Sequence, residues 1–163
     1  MATSERNLSV YDSNTIPNGA DFRIGIVVSE WNEEITENLL KGAKETLESA
    51  GVSTDNIAFH AVPGTYELTL GSQFLLEYKK VDGVIAIGSV IRGETSHFDF
   101  ICDAAAHGIR DVALKYNKPV IFCVLTDNTK QQAIDRSGGI HGNKGVEGAI
   151  ACLKMIALQR KLM

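Results

Sequence analysis

Between Ser89 and His97 the sequence reads Ser-Val-Ile-Arg-Gly-Glu-Thr-Ser-His, and here the groups able to bind an anion and move a proton come closest together. Gly93 lets the backbone turn sharply. Thr95 and Ser96 offer hydroxyls just before a helical pattern that starts near His97. The free N–H groups and positive dipole end of such a helix make an anion site, best suited to phosphate. An imidazole in the first helical turn beside that site is placed to shuttle protons. The competing reading is a helix cap at Thr95 or Ser96 with an exposed histidine beside it.

Three other segments carry polar or aromatic groups at comparable places. Glu30-Trp31-Asn32 holds the only tryptophan of the chain. Trp31 is either a core residue or a platform for a planar heterocycle, with Asn32 capping the next helix. Pro63-Gly64-Thr65-Tyr66-Glu67 is a tight turn. There Thr65 could cap a helix and Glu67 complement its dipole, or Glu67 could accept hydrogen bonds from a polar ligand. Further on, Thr126-Asp127-Asn128 reads as a helix cap. Arg136 then precedes a glycine-rich stretch running to Gly145. Arg136 and Lys144 could supply charge to an anion, or belong to a solvated loop.

Several chemistries lack their signatures. The sequence has no GxGxxG and no GxxxxGK[ST], so the usual dinucleotide and Walker signals are missing. The four histidines, His60, His97, His107 and His141, have no metal-ligand spacing. No lysine stands at a strand carboxyl end, so a Schiff base to an enzyme lysine is not expected. Any carbonyl–amine chemistry would take its amine from a substrate.

Positioning these segments requires alternating strands and helices. Strands are expected over Arg23–Ser29, Ile57–Val62, Gly83–Ser89 and Pro119–Thr126, short, apolar and rich in β-branched residues. Helices are expected over Glu33–Gly51, Tyr66–Lys79, His97–Tyr116, Asn128–Ser137 and Lys144–Lys161. This order predicts an α/β fold, a four-stranded parallel sheet between helix layers, with each strand buried on both faces. Ligands of such sheets bind at the carboxyl ends of the strands, where all four segments fall. At 163 residues the chain makes one domain, expected over 22–163. Residues 1–21, with a short β-like patch at Leu8, Val10 and Tyr11, read as an arm. The net charge of −4 argues against sequence-independent nucleic-acid binding. No apolar run reaches a membrane span, and the polar start of the chain does not read as a signal peptide. Cys102, Cys123 and Cys152 are expected as reduced core residues of a cytoplasmic protein. From the residues alone, the chain is a parallel α/β protein that binds a phosphorylated small molecule and a planar ring, with one histidine for proton transfer.

From about Arg23 to Met155 the chain resembles the lumazine synthases of riboflavin biosynthesis. The segments RIGIVVSEWNEEIT, VPGTYEL, IGSVIRGETSHFDFIC, PVIFCVLT and QAIDRSGGIHGNKGVEGA occur in that family's order and spacing. The resemblance implies condensation of 5-amino-6-(D-ribitylamino)uracil with 3,4-dihydroxy-2-butanone 4-phosphate to 6,7-dimethyl-8-ribityllumazine, releasing phosphate and water. It implies no metal and no organic cofactor. Trp31 matches the aromatic that stacks on the pyrimidine, followed by Asn32. Thr65, Tyr66 and Glu67 match the segment that holds the ribityl chain. Ser89, Val90 and Ile91 match the pyrimidine edge. Gly93, Glu94 and Thr95 match the phosphate cradle, Arg136 its arginine and Lys144 a nearby lysine. Many members have a small residue at Glu94, so its side chain is expected to point away and its N–H to bind. His97 matches the general acid/base. Phe122 matches an aromatic that reaches into a neighbouring subunit's site.

The resemblance also implies a homo-oligomer, a pentamer, with an icosahedral shell of pentamers where the turn before the last helix is as short as Gly138–Asn143. Riboflavin synthase is the expected cargo of such a shell. The arm could add a strand to a neighbour's sheet. A non-catalytic flavin- or riboflavin-binding assembly is the alternative; an intact His97 and Arg136 favour the enzyme.

Overall fold

The computed structural model describes Asn7 and residues 9–163. The expected strand ends and helix ends are met to within two residues throughout. Strands β1 (Ile24–Ser29), β2 (Ile57–Val62), β3 (Gly83–Ile91) and β4 (Val120–Asp127) alternate with helices α1 (Glu33–Ser49), α2 (Leu68–Tyr78) and α3 (His97–Tyr116). Helices α4 (Lys130–Arg136) and α5 (Lys144–Leu162) close the chain. All pairings in the sheet are parallel, and the strand order is β2-β1-β3-β4.

Alternation along each strand builds two cores. Ile24, Ile26 and Val28 of β1, Ile85 and Ile87 of β3, and Cys123 and Leu125 of β4 pack with Leu39 and Leu47 of α1 and Leu153 and Ile156 of α5. Val27, Val84, Ala86 and Val124 face the other way, onto Leu68 and Leu75 of α2 and Ile109 and Val112 of α3. The result is three layers. From β1 the chain steps outward to β2 through α1 on one face. It then returns past β1 to β3 through α2 on the other face. Reversing direction and changing face together keep every crossover of one hand. The reversal opens a crevice at the carboxyl ends of β1 and β3, the topological switch point.

One expectation about the sheet fails. Strand β2 is not buried on both faces; Phe59, His60 and Ala61 are exposed. It is an edge strand, and α1 lies over β1 and β3 instead of over it. Lys44 of α1 partly covers Phe59, its Nζ 4.6 Å from the ring centroid. The β-like patch near the start is also not a strand. Val10 and Tyr11 are exposed and irregular, and Leu8 lies outside the described residues. The stretch from Ser9 to Asp21 instead runs along α1 and α5. Asn143 N–H donates to Ser9 Oγ at 3.0 Å, Gly19 N–H to Ala50 O at 2.8 Å, and Arg160 Nη2 to Asp21 O at 2.9 Å.

The glycine-rich stretch after Arg136 forms a small antiparallel hairpin, β5 (Ser137–Gly139) with β6 (Gly142–Asn143), rather than a plain loop. It leads directly into α5, whose cap is Asn143: Oδ1 accepts from Gly145 N–H at 2.8 Å, and Nδ2 donates to Asn38 O of α1 at 2.8 Å. Gly145 lies so close to the Leu39 carbonyl that no side chain fits between them. The α1–α5 layer is pinned at this backbone contact.

Cys123 and Cys152 are buried as expected, and burial pushes both thiols up to about 12. Cys102 on α3 is only half-buried, so it is not the core residue expected. Iodoacetamide at pH 8 will therefore leave Cys123 and Cys152 unmodified in the folded protein, and both will react after denaturation. Mass spectrometry of tryptic peptides reads this out; labelling of either in the native state would contradict the packing. Among the described residues, no helix is long and apolar enough to cross a membrane.

Candidate active site

A cavity of about 500 Å³ opens at the carboxyl ends of β1, β2 and β3, in the crevice that the topology creates. Each wall comes from one strand end. The loop after β1 contributes Trp31 and Asn32; the turn after β2 contributes Gly64, Thr65, Tyr66 and Glu67. The last residues of β3, Ser89, Val90 and Ile91, form the floor, and the first turn of α3 supplies His97 and Ile101.

Trp31 settles between its two readings: it is 73 % exposed and lines the cavity, so it is not a core residue. Asn32 is not a side-chain cap. Its backbone is left-handed, φ 60° and ψ 46°, a conformation asparagine tolerates better than most residues. The freed side chain reaches across the crevice, and Nδ2 donates to Ser89 O at 2.8 Å. This bond ties the loop carrying Trp31 to the end of β3. Thr65 is buried and also makes no cap; the residue preceding α2 is Glu67, without a side-chain cap bond. Tyr66 and Glu67 are exposed at the rim. Ser89 Oγ is buried, with no hydrogen-bond partner among the described residues.

Gly93, Glu94 and Thr95 are all exposed, and they lie beyond the residues that line this cavity. Gly93 has no left-handed backbone, and a Cβ there would meet no atom within 4 Å. The sharp turn expected of it is therefore not what requires a glycine; the open space beside it is what a side chain would fill. The reading of Thr95 or Ser96 as a cap fares no better. Ser96 makes no side-chain cap bond, and Thr95 Oγ1 accepts from His97 N–H only at 3.4 Å. The 92–96 loop is held instead by Arg92. Its Nη2 donates to Asp99 Oδ1 at 2.7 Å and its Nε to Asn128 Oδ1 at 3.2 Å, and its guanidinium stacks 4.1 Å over the Phe98 ring.

The remaining candidate residues do not line the cavity of the single chain. Phe122 lies midway along β4, half-buried against the α2–α3 core. Lys144 Nζ is 2.8 Å from Glu147 Oε2, at the start of α5. Arg136, at the end of α4, donates from Nη1 to Gln132 O at 2.9 Å and stands 4.0 Å from Asp127 Oδ1. Burial pushes the Asp127 carboxyl up, Arg136 opposes that shift, and Asp135 adds to it. The helix cap after β4 is neither Thr126, Asp127 nor Asn128 but Thr129, whose hydroxyl accepts from Gln132 N–H.

Sequence reasoning missed Gly64, Ile101, Arg92 and Asp127. Ile101 was within reach, one helical turn after His97 and so on the same face. Arg92 and Asp127 sent no periodic or motif signal.

The family model for 6,7-dimethyl-8-ribityllumazine synthase matches residues 21–160, which include every strand of the large sheet and every cavity residue. The chain belongs to the 6,7-dimethyl-8-ribityllumazine synthase family. A lumazine synthase of Cytophaga hutchinsonii is 57% identical over 157 residues, covering 96% of this chain and 98% of its own. One from Flavobacterium johnsoniae is 55% identical over 161 residues, covering 99% of this chain and 85% of its own. One from Porphyromonas gingivalis is 54% identical over 160 residues, covering 98% and 99%.

Proposed function

We propose that the cavity condenses 5-amino-6-(D-ribitylamino)uracil with 3,4-dihydroxy-2-butanone 4-phosphate to give 6,7-dimethyl-8-ribityllumazine, phosphate and water. The observation that carries this reading is Trp31, a large exposed aromatic tied by Asn32 to the end of β3 and sharing a cavity with His97. The pyrimidine stacks on the Trp31 indole, and its edge lies along Ser89, Val90 and Ile91. The ribityl chain runs toward Thr65, Tyr66 and Glu67. The 5-amino group of this substrate attacks the carbonyl of the other, and water leaves as the imine forms. His97 carries protons in that step and in the elimination of phosphate. Holding both substrates in one cavity supplies much of the remaining acceleration.

The phosphate sits at Gly93, Glu94 and Thr95, on backbone N–H groups, with the Glu94 side chain turned to solvent. Arg136 and Lys144 provide the positive charge; in the lone chain each stands by a carboxylate, Asp127 and Glu147. Phe122 serves the site of an adjoining subunit. That role implies a homo-oligomer, and exposed apolar side chains support one: Phe74 and Tyr78 of α2, and Phe100 and Leu114 of α3, would all be covered by further copies. We read the assembly as a pentamer that builds an icosahedral shell around riboflavin synthase in the cytoplasm, with residues 1–21 as an arm on the domain 22–163.

Purified protein with both substrates will form fluorescent lumazine faster than the uncatalysed condensation. Gly93→Ala will fold normally, since the added methyl meets open space. It will nonetheless raise the KM of the butanone phosphate by about tenfold, through crowding of the bound anion. An unchanged KM would remove Gly93 from the phosphate site. No acceleration by folded, assembled wild-type protein would overturn the function itself.

A further inference from the structure

Asp127 is a carboxylate in an unfavourable place. It ends β4, paired in register with Ile91, and its side chain is only 10% exposed. Oδ2 is buried, with no hydrogen-bond partner among the described residues. Its nearest cation is Arg136, Nη1 at 4.0 Å from Oδ1. A buried carboxylate with an unpaired oxygen costs stability, so its presence calls for another explanation than folding.

The placement supplies one. The Asp127 carbonyl accepts the Arg92 N–H at 2.9 Å, which puts Asp127 one strand across from the loop that starts at Gly93. Arg136 is a planar fork with five N–H donors. Here only the Nη1 corner is engaged, by Gln132 O and by the charge of Asp127. The edge formed by Nε and Nη2 makes no hydrogen bond among the described residues, and such an edge is what a phosphate takes in bidentate fashion.

We infer that Asp127 is a positioning residue: it holds one corner of the Arg136 guanidinium so that the opposite edge is presented to the substrate phosphate. This rests on the reading of Arg136 as the phosphate-binding arginine. The carboxylate contributes orientation, and the arginine contributes the contact.

Steady-state kinetics and thermal melting of Asp127→Asn, Arg136→Ala and the double variant test this. Asp127→Asn should raise the KM of the butanone phosphate about tenfold. It should leave the KM of the pyrimidine unchanged, and the melting temperature equal or higher. In the Arg136→Ala background the same change should add nothing. A phosphate-substrate KM that stays level or falls in Asp127→Asn, while Arg136→Ala raises it, overturns the positioning role alone. A rise in both KM values with a lower melting temperature also overturns it, as the mark of a merely structural residue. No effect of Arg136→Ala on that KM overturns the arginine assignment, and the inference goes with it. Should Asp127→Asn fail to fold, Asp127→Ser, smaller at the same position, takes its place in the same cycle.

Discussion

Replacing His97 with alanine will lower the turnover number by about a hundredfold, the low end of what general acid–base groups contribute. The KM of each substrate will change little. The low end is expected because the enzyme brings two substrates together, and that proximity survives the substitution. The histidine is exposed, its imidazole makes no hydrogen bond among the described residues, and it stands at the first position of α3. Alanine is a better helix former there, so the fold has nothing to lose. Turnover and both KM values, measured under saturation of the second substrate, separate the outcomes. Undiminished turnover would take His97 out of the chemistry. A large rise in one KM with turnover intact would make it a binding group instead.

The largest effect on stability is expected far from the cavity, at Gly145. A methyl added there meets the Leu39 carbonyl, a backbone atom of another helix that cannot rotate out of the way. Overpacking costs typically about 1–3 kcal/mol, and a rigid neighbour puts Gly145→Ala near the top of that range. For a chain of this size about 3 kcal/mol corresponds to a melting temperature lower by about 6–12 °C. Thermal denaturation at fixed protein concentration measures it. A melting curve that overlays the parent's would mean that α1 and α5 can separate freely, against the close contact described here.

Much of this architecture is legible in the sequence, and the reasons are local. The strands RIGIVVS and GVIAIGS announce themselves as short apolar runs rich in β-branched residues, and the helices by apolar spacing. Their alternation then fixes which ends of the strands hold the chemistry. Trp31, Glu67 and His97 are candidates on this ground alone, Thr65 and Ser89 only through the family resemblance, and all five line one cavity. What the sequence conceals is tertiary. The exposed outer side of β2 depends on where α1 crosses the sheet. Thr129 displaced the three residues before it as a cap because β4 runs through Asp127. The hydrogen bonds of Arg92 span three elements, and no spacing rule joins Arg92 to Asn128. Asp127 reads as part of a helix cap because aspartate just before a helix usually is one; its burial comes from β4 extending to it, in register with Ile91 of β3.

Asn32 carries a consequence for how freely this protein can drift. Two demands fall on its position: a left-handed backbone and a donor aimed at the Ser89 carbonyl. Glycine meets the first and abandons the second. Aspartate tolerates the conformation but sets an acceptor against a carbonyl oxygen. In the proposed stacking role, Trp31 beside it needs only a flat aromatic face, a requirement that several residue types satisfy. Mutational tolerance around the ring slot is thus narrowest at the residue that sets the slot's shape and wider at the residue that lies against the ring. A population of variants selected for activity should fix asparagine at position 32 well before it fixes tryptophan at position 31.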